Sequence, residues 1–143
     1  MSKEKLIPHK GNYRKLISYQ KAECIYDITY YFCSHFLRKG DRTVDQMVQA
    51  ARSGKQNIAE GSAASSTSSE MEIKLVNVAK ASSKELLEDY EDYLRTRNCR
   101  QWEENSEEFN AMRDLGKKHN DSGFYMKIVQ TRPLKQLPIW LLF

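Results

Sequence analysis

The sequence predicts an all-α protein, an up-and-down antiparallel four-helix bundle with an irregular or incomplete C-terminal part. The chain of 143 residues contains only 3 prolines and 6 glycines, which favours helices over a turn-rich β architecture. Three long segments between residues 13 and 97 carry apolar side chains at steps of three and four, the period of an α-helix. After residue 97 the chain is polar and acidic and then contains prolines, so this part is expected to be irregular.

A chain of this length fits one domain, because domains average about 150 residues. We divide it into three parts. Residues 1–12 form a basic N-terminal arm, and residues 13–97 form the three-helix core of the bundle. Residues 98–143 comprise an acidic loop, a short helix and a C-terminal segment that completes the bundle.

The first helix is predicted from Tyr13 onwards, and tyrosines at 26, 30 and 31 broaden its inward face. Gly40 is expected to break it after Arg38 and Lys39, since the helix dipole favours cations in a last turn. Steps of three and four define the inward line, which consists of Tyr19, Ala22, Ile25, Ile28, Phe32 and Phe36.

The second helix is predicted to start at a capping box, in which Thr43 caps a backbone N–H and Gln46 reaches back. Gly54 lies inside this helix, where glycine costs about 1 kcal/mol relative to alanine. That cost indicates a close contact with another helix. Gly61 is expected to end the helix, and a low-complexity polar connection follows at residues 62–69.

The third helix is predicted to run to about Arg97, with an acidic outer face around Glu88 and Asp92. Its inward line consists of Leu75, Ala79, Ser82, Leu86, Tyr90 and Tyr93. A short helix is expected at residues 107–115, and a fourth helix from Phe124 with Phe124 and Ile128 facing inward. Prolines at 133 and 138 argue against a long continuous helix there. The five consecutive apolar residues at 139–143 are expected to be shielded from water by this chain or by another.

The charge of the chain is distributed unevenly. The net charge is +4, but the first part of the chain is basic, with 11 Lys/Arg and 6 Asp/Glu in residues 1–61. The middle part is acidic, with 7 Lys/Arg and 12 Asp/Glu in residues 62–114. A basic surface attracts polyanions such as nucleic acids. The same asymmetry also suits an oligomer in which a basic face meets an acidic face, and the sequence leaves both interpretations open.

Several classes of protein are not indicated. Cys24, Cys33 and Cys99 have neither C-x-x-C nor zinc-ligand spacing, so we expect no metal, no cofactor and a reducing, cytoplasmic environment. The polar N-terminus predicts no signal peptide, and no apolar run approaches the ~20 residues of a membrane span.

Residues 13–97 carry motifs of one known family. The chain has Tyr-Arg-Lys-Leu at 13–16, Gln-Ala-Ala-Arg-Ser at 49–53 and Asn-Ile-Ala-Glu-Gly at 57–61. With these motifs it resembles the bacterial four-helix-bundle family named after proteins encoded in intervening sequences of large-subunit ribosomal RNA, in its longer "suffix" variant. The family-signature positions are Asn57, Ala59, Glu60 and Gly61.

The resemblance implies an antiparallel bundle that assembles into a ring, often a homopentamer, without catalytic activity. A related branch is the accessory variability-determinant protein of diversity-generating retroelements, a basic pentameric barrel that binds nucleic acid and a reverse transcriptase. The resemblance therefore implies RNA, DNA or another protein as partner.

Cations in the first half of the chain are the candidate nucleic-acid contacts, because phosphates are bound by Lys and Arg without reading of sequence. Tyrosines at 13, 19 and 30 could stack on bases, although at helical spacing they also suit a core or an interface. The alternative for the cations is a solvated surface. The candidates are Arg14, Lys15, Lys21, Arg38, Lys39, Arg42, Arg52 and Lys55.

Two polar pairs are further candidates. Asn57 and Glu60 share a helix face and indicate either a polar site at a subunit interface or structural hydrogen bonds near the helix end. Arg113 and His119 resemble the Arg-to-His spacing of helical-bundle ribonucleases, although a helix terminus also explains cations at this position.

The sequence therefore predicts a non-enzymatic, ring-forming scaffold that binds RNA or DNA weakly through a basic face. A protein-interaction oligomer without nucleic acid is the alternative, and a ribonuclease using Arg113 and His119 is the third hypothesis.

Overall fold

The computed structural model describes residues 13–99 and 102–131, and helices account for 82% of this part, which contains no strand. Helices α1 (Ile17–Phe36), α2 (Arg42–Ala64) and α3 (Ser69–Thr96) pack antiparallel. Two shorter helices follow, α4 (Glu107–Lys118) and α5 (Ser122–Thr131). The predicted all-α bundle with an irregular C-terminal part is confirmed. The predicted arm at 1–12 and the apolar tail at 139–143 lie outside the described residues.

The first helix is shorter at both ends than predicted. A 3-10 turn at Tyr13–Lys15 precedes it, and the Leu16 backbone N–H donates to the carbonyl of residue 13 at 2.9 Å. Extended backbone at Leu37 ends α1 directly after Phe36. Arg38 therefore lies beyond the helix instead of in its last turn. Gly40 has φ +89°, which suits glycine, and lies in the connection to α2.

The second helix starts close to the predicted position, but its predicted N-cap and its predicted end were wrong. Asp41, not Thr43, is the N-cap: its Oδ1 accepts a hydrogen bond from the Thr43 backbone N–H at 2.9 Å. This hydrogen bond holds the pKa of the Asp41 carboxyl below its ordinary value. Gly61 does not end the helix, which continues to Ala64. Gly61 is instead buried inside the helix, against α3 beside Leu75.

The third helix follows its prediction closely. Ser68 caps it, since its side chain accepts from the Met71 backbone N–H, and the helix ends at Thr96. Leu75 is half-buried, and the rest of the predicted inward line is buried. The buried members of that line are Ala79, Ser82, Leu86, Tyr90 and Tyr93.

The apolar side chains form two clusters. The first joins α1, α2 and α3 and is centred on Phe32, whose ring meets Tyr90 and Tyr93 edge-on at centroid distances of 4.9 and 4.8 Å. Edge-to-face contacts of this kind stabilise aromatic cores beyond the area they bury. Its other buried members are Cys33, Met47, Ala50, Ala51, Leu86 and Leu94.

The second cluster joins α1, α4 and α5 and comprises Cys24, Ile28, Met112, Tyr125 and Val129. Phe124 and Ile128, which were predicted to face inward, are half-buried and pack against this cluster, whereas the fully buried positions of the helix are Tyr125 and Val129. The Tyr125 hydroxyl donates to the carbonyl of residue 119 at 2.6 Å, so a tyrosine can occupy this apolar position.

Candidate nucleic-acid interface

The candidate phosphate contacts lie in separate groups. Arg14 and Lys15 precede the start of α1, whereas Arg38 and Lys39 follow its end, and Arg42 opens α2. A helix rises 1.5 Å per residue, so the 20-residue α1 separates the first group from the second by about 30 Å. All five side chains are exposed. The fold therefore presents cations at opposite ends of α1.

Two further candidates lie on α2, where Arg52 is exposed and Lys55 is half-buried. The Lys55 ammonium lies 4.5 Å from the centroid of the Tyr26 ring on α1, within the range of a cation–π interaction. Lys55 thus brings a positive charge to the outer surface of α1 and also links the two helices.

Lys21 differs from the other candidates because its ammonium is directed into the protein. It donates to the carbonyls of Gly116 and His119, the latter at 2.7 Å, and approaches the Tyr125 hydroxyl at 3.3 Å. These carbonyls are at the C-terminal end of α4, which attracts cations. Burial lowers the pKa of Lys21. The structure therefore gives Lys21 a role in joining α1 to the α4–α5 connection.

A groove of about 480 Å³ runs along the outer side of α1 and is bounded on one side by α5. We call it the tyrosine groove, because three tyrosines of α1 line it. Tyr30 is 59% exposed, and Tyr26 and Tyr31 are half-buried. Its full lining is Tyr26, Asp27, Tyr30, Tyr31, Ser34, His35 and Met126.

The rings of the tyrosine groove are ordered by contacts along α1. Tyr31 and His35 stack with centroids 3.9 Å apart, and Tyr26 and Tyr30 approach to 6.5 Å. The His35 Nδ1 donates to the carbonyl of residue 31 at 2.9 Å, since a carbonyl can only accept. This hydrogen bond fixes the tautomer and leaves Nε2 as the acceptor of the neutral ring.

The groove as a whole was missed by sequence reasoning, which assigned the tyrosines at 26, 30 and 31 to the inward face and named only Tyr30 among them as a candidate for base stacking. A signal for it exists in the sequence: Tyr26 with Tyr30, and Tyr31 with His35, are both four residues apart and therefore adjacent on one helix surface. Of the tyrosines proposed to stack on bases, Tyr19 is buried and meets the ring at position 13 edge-on at 4.7 Å.

Asn57, in the family signature, lies in a polar track between α2 and α3. Its Nδ2 donates to the Ser53 carbonyl at 2.8 Å and to the Ser53 Oγ at 3.1 Å. The Ser53 Oγ in turn lies 2.8 Å from the Ser82 Oγ on α3. Asn57 therefore acts through Ser53 on the α2–α3 contact, whereas Glu60 is exposed.

Ala59 and Gly61 complete the motif that carries the family resemblance. Ala59 is half-buried, and Gly61 is buried, with space for a methyl group at 3.5 Å from the Leu75 Cβ. Gly61 therefore lies where the C-terminal half of α2 meets α3.

The residues of the ribonuclease hypothesis lie near the end of α4. Arg113 is exposed on the helix, and His119 follows the last residue of the helix. The His119 ring stacks on Phe124 with centroids 3.7 Å apart and planes 8° apart. The histidine thus packs against the start of α5.

A second, apolar groove of about 670 Å³ lies at the end of the bundle where α1 begins, α2 ends and α3 begins. Leu16, Ile58, Val76 and Leu87 contribute apolar surface, and Lys80 and Lys84 are at its rim. Large apolar side chains are also exposed around the start of α1 and along the first half of α3: Leu16, Ile17, Met71, Ile73, Val76 and Val78.

Among residues 13–99 and 102–131, no three His, Cys, Asp or Glu side chains are arranged to hold a metal ion. In the same part of the chain, each helix is too short or too polar to span a membrane. No family model, curated protein or solved structure matches the chain.

Proposed function

We propose that this protein is a non-enzymatic helical-bundle scaffold that assembles into a ring and binds RNA or DNA weakly through exposed cations. The observation that carries the nucleic-acid part is the position of Arg38, Lys39 and Arg42. Arg38 and Lys39 are exposed in the α1–α2 connection and Arg42 is exposed at the start of α2, next to the end of α1 that carries the tyrosine groove. Cations grouped beside aromatic rings are typical of surfaces that bind nucleic acid strands.

Phosphate binding by a few side chains is an electrostatic interaction and weakens with salt, because it depends on counterion release. Six of the eight candidate cations are exposed, which keeps them available for a polyanion. Lys21 is not among the proposed contacts, since its ammonium already binds carbonyl groups of the chain.

The test is fluorescence anisotropy with labelled RNA and DNA oligonucleotides at 50 and 200 mM salt. We expect the double variant Arg38→Glu with Lys39→Glu to weaken binding about tenfold or more at low salt, since phosphate contacts dominate affinity. The matched control is Lys74→Glu with Arg113→Glu, which changes the net charge equally at exposed positions on α3 and α4.

If the control variant weakens binding as much as the Arg38 and Lys39 variant, binding reflects net charge alone and the proposed surface is wrong. If the unmodified protein binds no oligonucleotide at 50 mM salt, the nucleic-acid part of the proposal fails.

The ring part of the proposal is supported by the family resemblance and by the exposed apolar surface on α3. An apolar patch on a folded protein marks an interaction site, and here the proposed occupant is a second copy of this chain. Lys80 and Lys84 at the rim of the apolar groove would meet the acidic outer face of α3, around Glu88 and Asp92, in the neighbouring copy.

Light scattering measures the assembly directly. We expect a particle of several times the 16.7 kDa chain mass, five times for a pentamer. Ile73→Asp should reduce it towards the mass of one chain without unfolding it, since Ile73 is 61% exposed in the single chain. The control is Glu91→Gln, which lies about 27 Å further along α3 than Ile73. An unmodified protein with the mass of one chain would contradict the ring.

The second candidate function is a protein-interaction oligomer that does not bind nucleic acid. The same apolar surface favours it, because assembly alone explains the exposure of Ile73 and Val76 without any polyanion. Assembly that persists at 200 mM salt, together with no oligonucleotide binding, would support this candidate. In that case Glu88→Lys with Asp92→Lys should disrupt the particle, and an unchanged mass would contradict it.

A further inference from the structure

We infer that the tyrosine groove binds unpaired nucleobases, so that the protein selects single-stranded nucleic acid over duplex. This inference rests on the proposed nucleic-acid binding and specifies the class of ligand. It concerns Tyr26, Tyr30, Tyr31 and His35, which are distinct from the cations on which the proposed function is based.

The rings offer surfaces to which a base can stack. Tyr30 is 59% exposed although it is a large aromatic residue in the middle of α1, and its neighbours in the fold do not cover it. Tyr31 and His35 already stack on each other at 3.9 Å, so one face of this pair is available to extend the stack outward. Every base has a π-face, so such stacking is tolerant of sequence.

Positive charge lies at both ends of the line of rings. The Lys55 ammonium is 4.5 Å from the Tyr26 ring, and Arg38 and Lys39 follow His35 by three and four positions in the sequence. From position 26 to position 35 the helix rises about 14 Å, which corresponds to about four phosphates at the 3.4 Å spacing of a stacked strand. A short segment of one strand can therefore meet rings and cations together.

The groove contains one carboxylate, Asp27, which would repel a phosphate. Its Oδ2 accepts a hydrogen bond from the Ser122 Oγ at 2.5 Å, so this oxygen is directed towards the start of α5. The remaining lining side chains are uncharged when His35 is neutral. The groove is thus suited to bases, with the phosphates held at its ends.

A duplex has few base faces free to stack on these rings, because its bases are stacked on one another and only their edges are accessible in the major and minor grooves. Unpaired bases can be splayed out and stacked on aromatic side chains. No lining residue is specific for a ribose or a deoxyribose, so RNA and DNA strands of equal length are expected to bind alike.

The experiment compares three labelled probes by anisotropy at 50 mM salt: a 12-nucleotide oligo(U), a 12-nucleotide oligo(dT) and a 12-base-pair DNA duplex. We expect both strands to bind at least about fivefold more tightly than the duplex, since stacking on tyrosines adds to the phosphate contacts only for unpaired bases. Tyr30→Ala should weaken binding of both strands at least about fivefold and leave the duplex unchanged.

Tyr30→Phe is the matched control, because it keeps the ring and removes only the hydroxyl. It should bind strands within about twofold of the unmodified protein, and circular dichroism should show the same helix content for both variants. If Tyr30→Phe still binds the strands and Tyr30→Ala does not, stacking on the ring is the interaction.

Other outcomes overturn the inference in distinguishable ways. Single strands and duplex could bind with equal affinity, and the Arg38 and Lys39 variant could lose both equally. That result would support the proposed function and reject the groove as the selective site. No binding of any probe would reject both. A Tyr30→Ala variant with a reduced particle mass in light scattering would show that the groove is a contact between copies, which also contradicts base binding.

Discussion

The hydroxyl groups of Thr29 and Tyr90 lie 2.7 Å apart between α1 and α3, and both residues are almost completely buried, at 0% and 1% exposure. Burial raises the pKa of Tyr90, so its hydroxyl stays protonated as a hydrogen-bonding group. This bond joins the first and third helices inside an otherwise apolar cluster. The bond stabilises the fold because each hydroxyl would otherwise be buried without a hydrogen-bond partner.

Removing both of these hydroxyls should cost less than the sum of the two single removals. We expect Thr29→Val to lower the free energy of unfolding by about 1–3 kcal/mol, because it leaves the Tyr90 hydroxyl unpaired, and Tyr90→Phe to have a similar cost. The double variant should be destabilised by less than the sum of the two. Urea denaturation of all four proteins measures the coupling, and additive costs would contradict a direct interaction.

Lys21 should be a structural residue of the α4–α5 connection. We expect Lys21→Met to lower the free energy of unfolding by about 2 kcal/mol, because the carbonyls of Gly116 and His119 lose a charged donor. Lys15→Met, on the exposed turn before α1, is the control and should change it by less than about 0.5 kcal/mol. Thermal denaturation compares the two, and equal small effects would contradict the role given to Lys21.

Gly54→Ala should stabilise the protein. Gly54 is buried in α2, but a methyl group at this position would lie 3.5 Å from the Ser83 Oγ and 3.9 Å from the Ala79 carbonyl, at ordinary contact distances. The gain in helix propensity is about 1 kcal/mol. Urea denaturation measures it, and a loss of stability would show that α2 and α3 are closer than these distances allow.

Asp89→Asn should stabilise the protein at neutral pH. Burial raises the pKa of the Asp89 carboxyl, and the charges of Asp92, Glu85 and Glu88 raise it further. A folded-state pKa above the unfolded value means that ionisation costs stability, and this cost disappears as the pH falls below about 4.

We expect a gain of about 0.5 kcal/mol at pH 7 in low salt, because the variant removes both the cost of burying the charge and the like-charge pairs along α3. The gain should vanish at pH 3 and decrease in high salt, where surface charges are screened. Asp114→Asn, on the exposed side of α4, is the control. A gain that persists at pH 3 would show that charge is not its cause.

The helices themselves were predictable from the sequence, because burial repeats with the helical period. Tyr90 and Tyr93 continue the line through Leu86, and the structure buries all three. Helix ends were less predictable, since Asp41 and Thr43 are both good capping residues two positions apart. In the structure, Asp41 has the extended backbone of an N-cap and Thr43 already lies within the helix.

The C-terminal half and the tyrosine groove were harder to predict because they depend on contacts between distant segments. The buried Tyr125 hydroxyl has hydrogen-bond partners in Lys21 and in the carbonyl of residue 119. Neither partner lies in the helix of Tyr125, so the periodicity of that helix does not reveal them. Likewise, Tyr30 and Phe32 are both aromatic residues of α1. Which of them is exposed depends on where α2, α3 and α5 pack.

Among the described residues, α1 is the helix that contributes side chains to both apolar clusters, and each cluster holds one of its cysteines. Burial raises the pKa of Cys24 to about 11 and that of Cys33 to about 12, so neither thiol reacts readily in the folded state. Release of α4 and α5 from α1 would expose Cys24 and leave Cys33 buried, whereas opening of the three-helix cluster would expose Cys33. The rates at which a thiol reagent labels these two positions would therefore report separately on partial and global unfolding of the native protein.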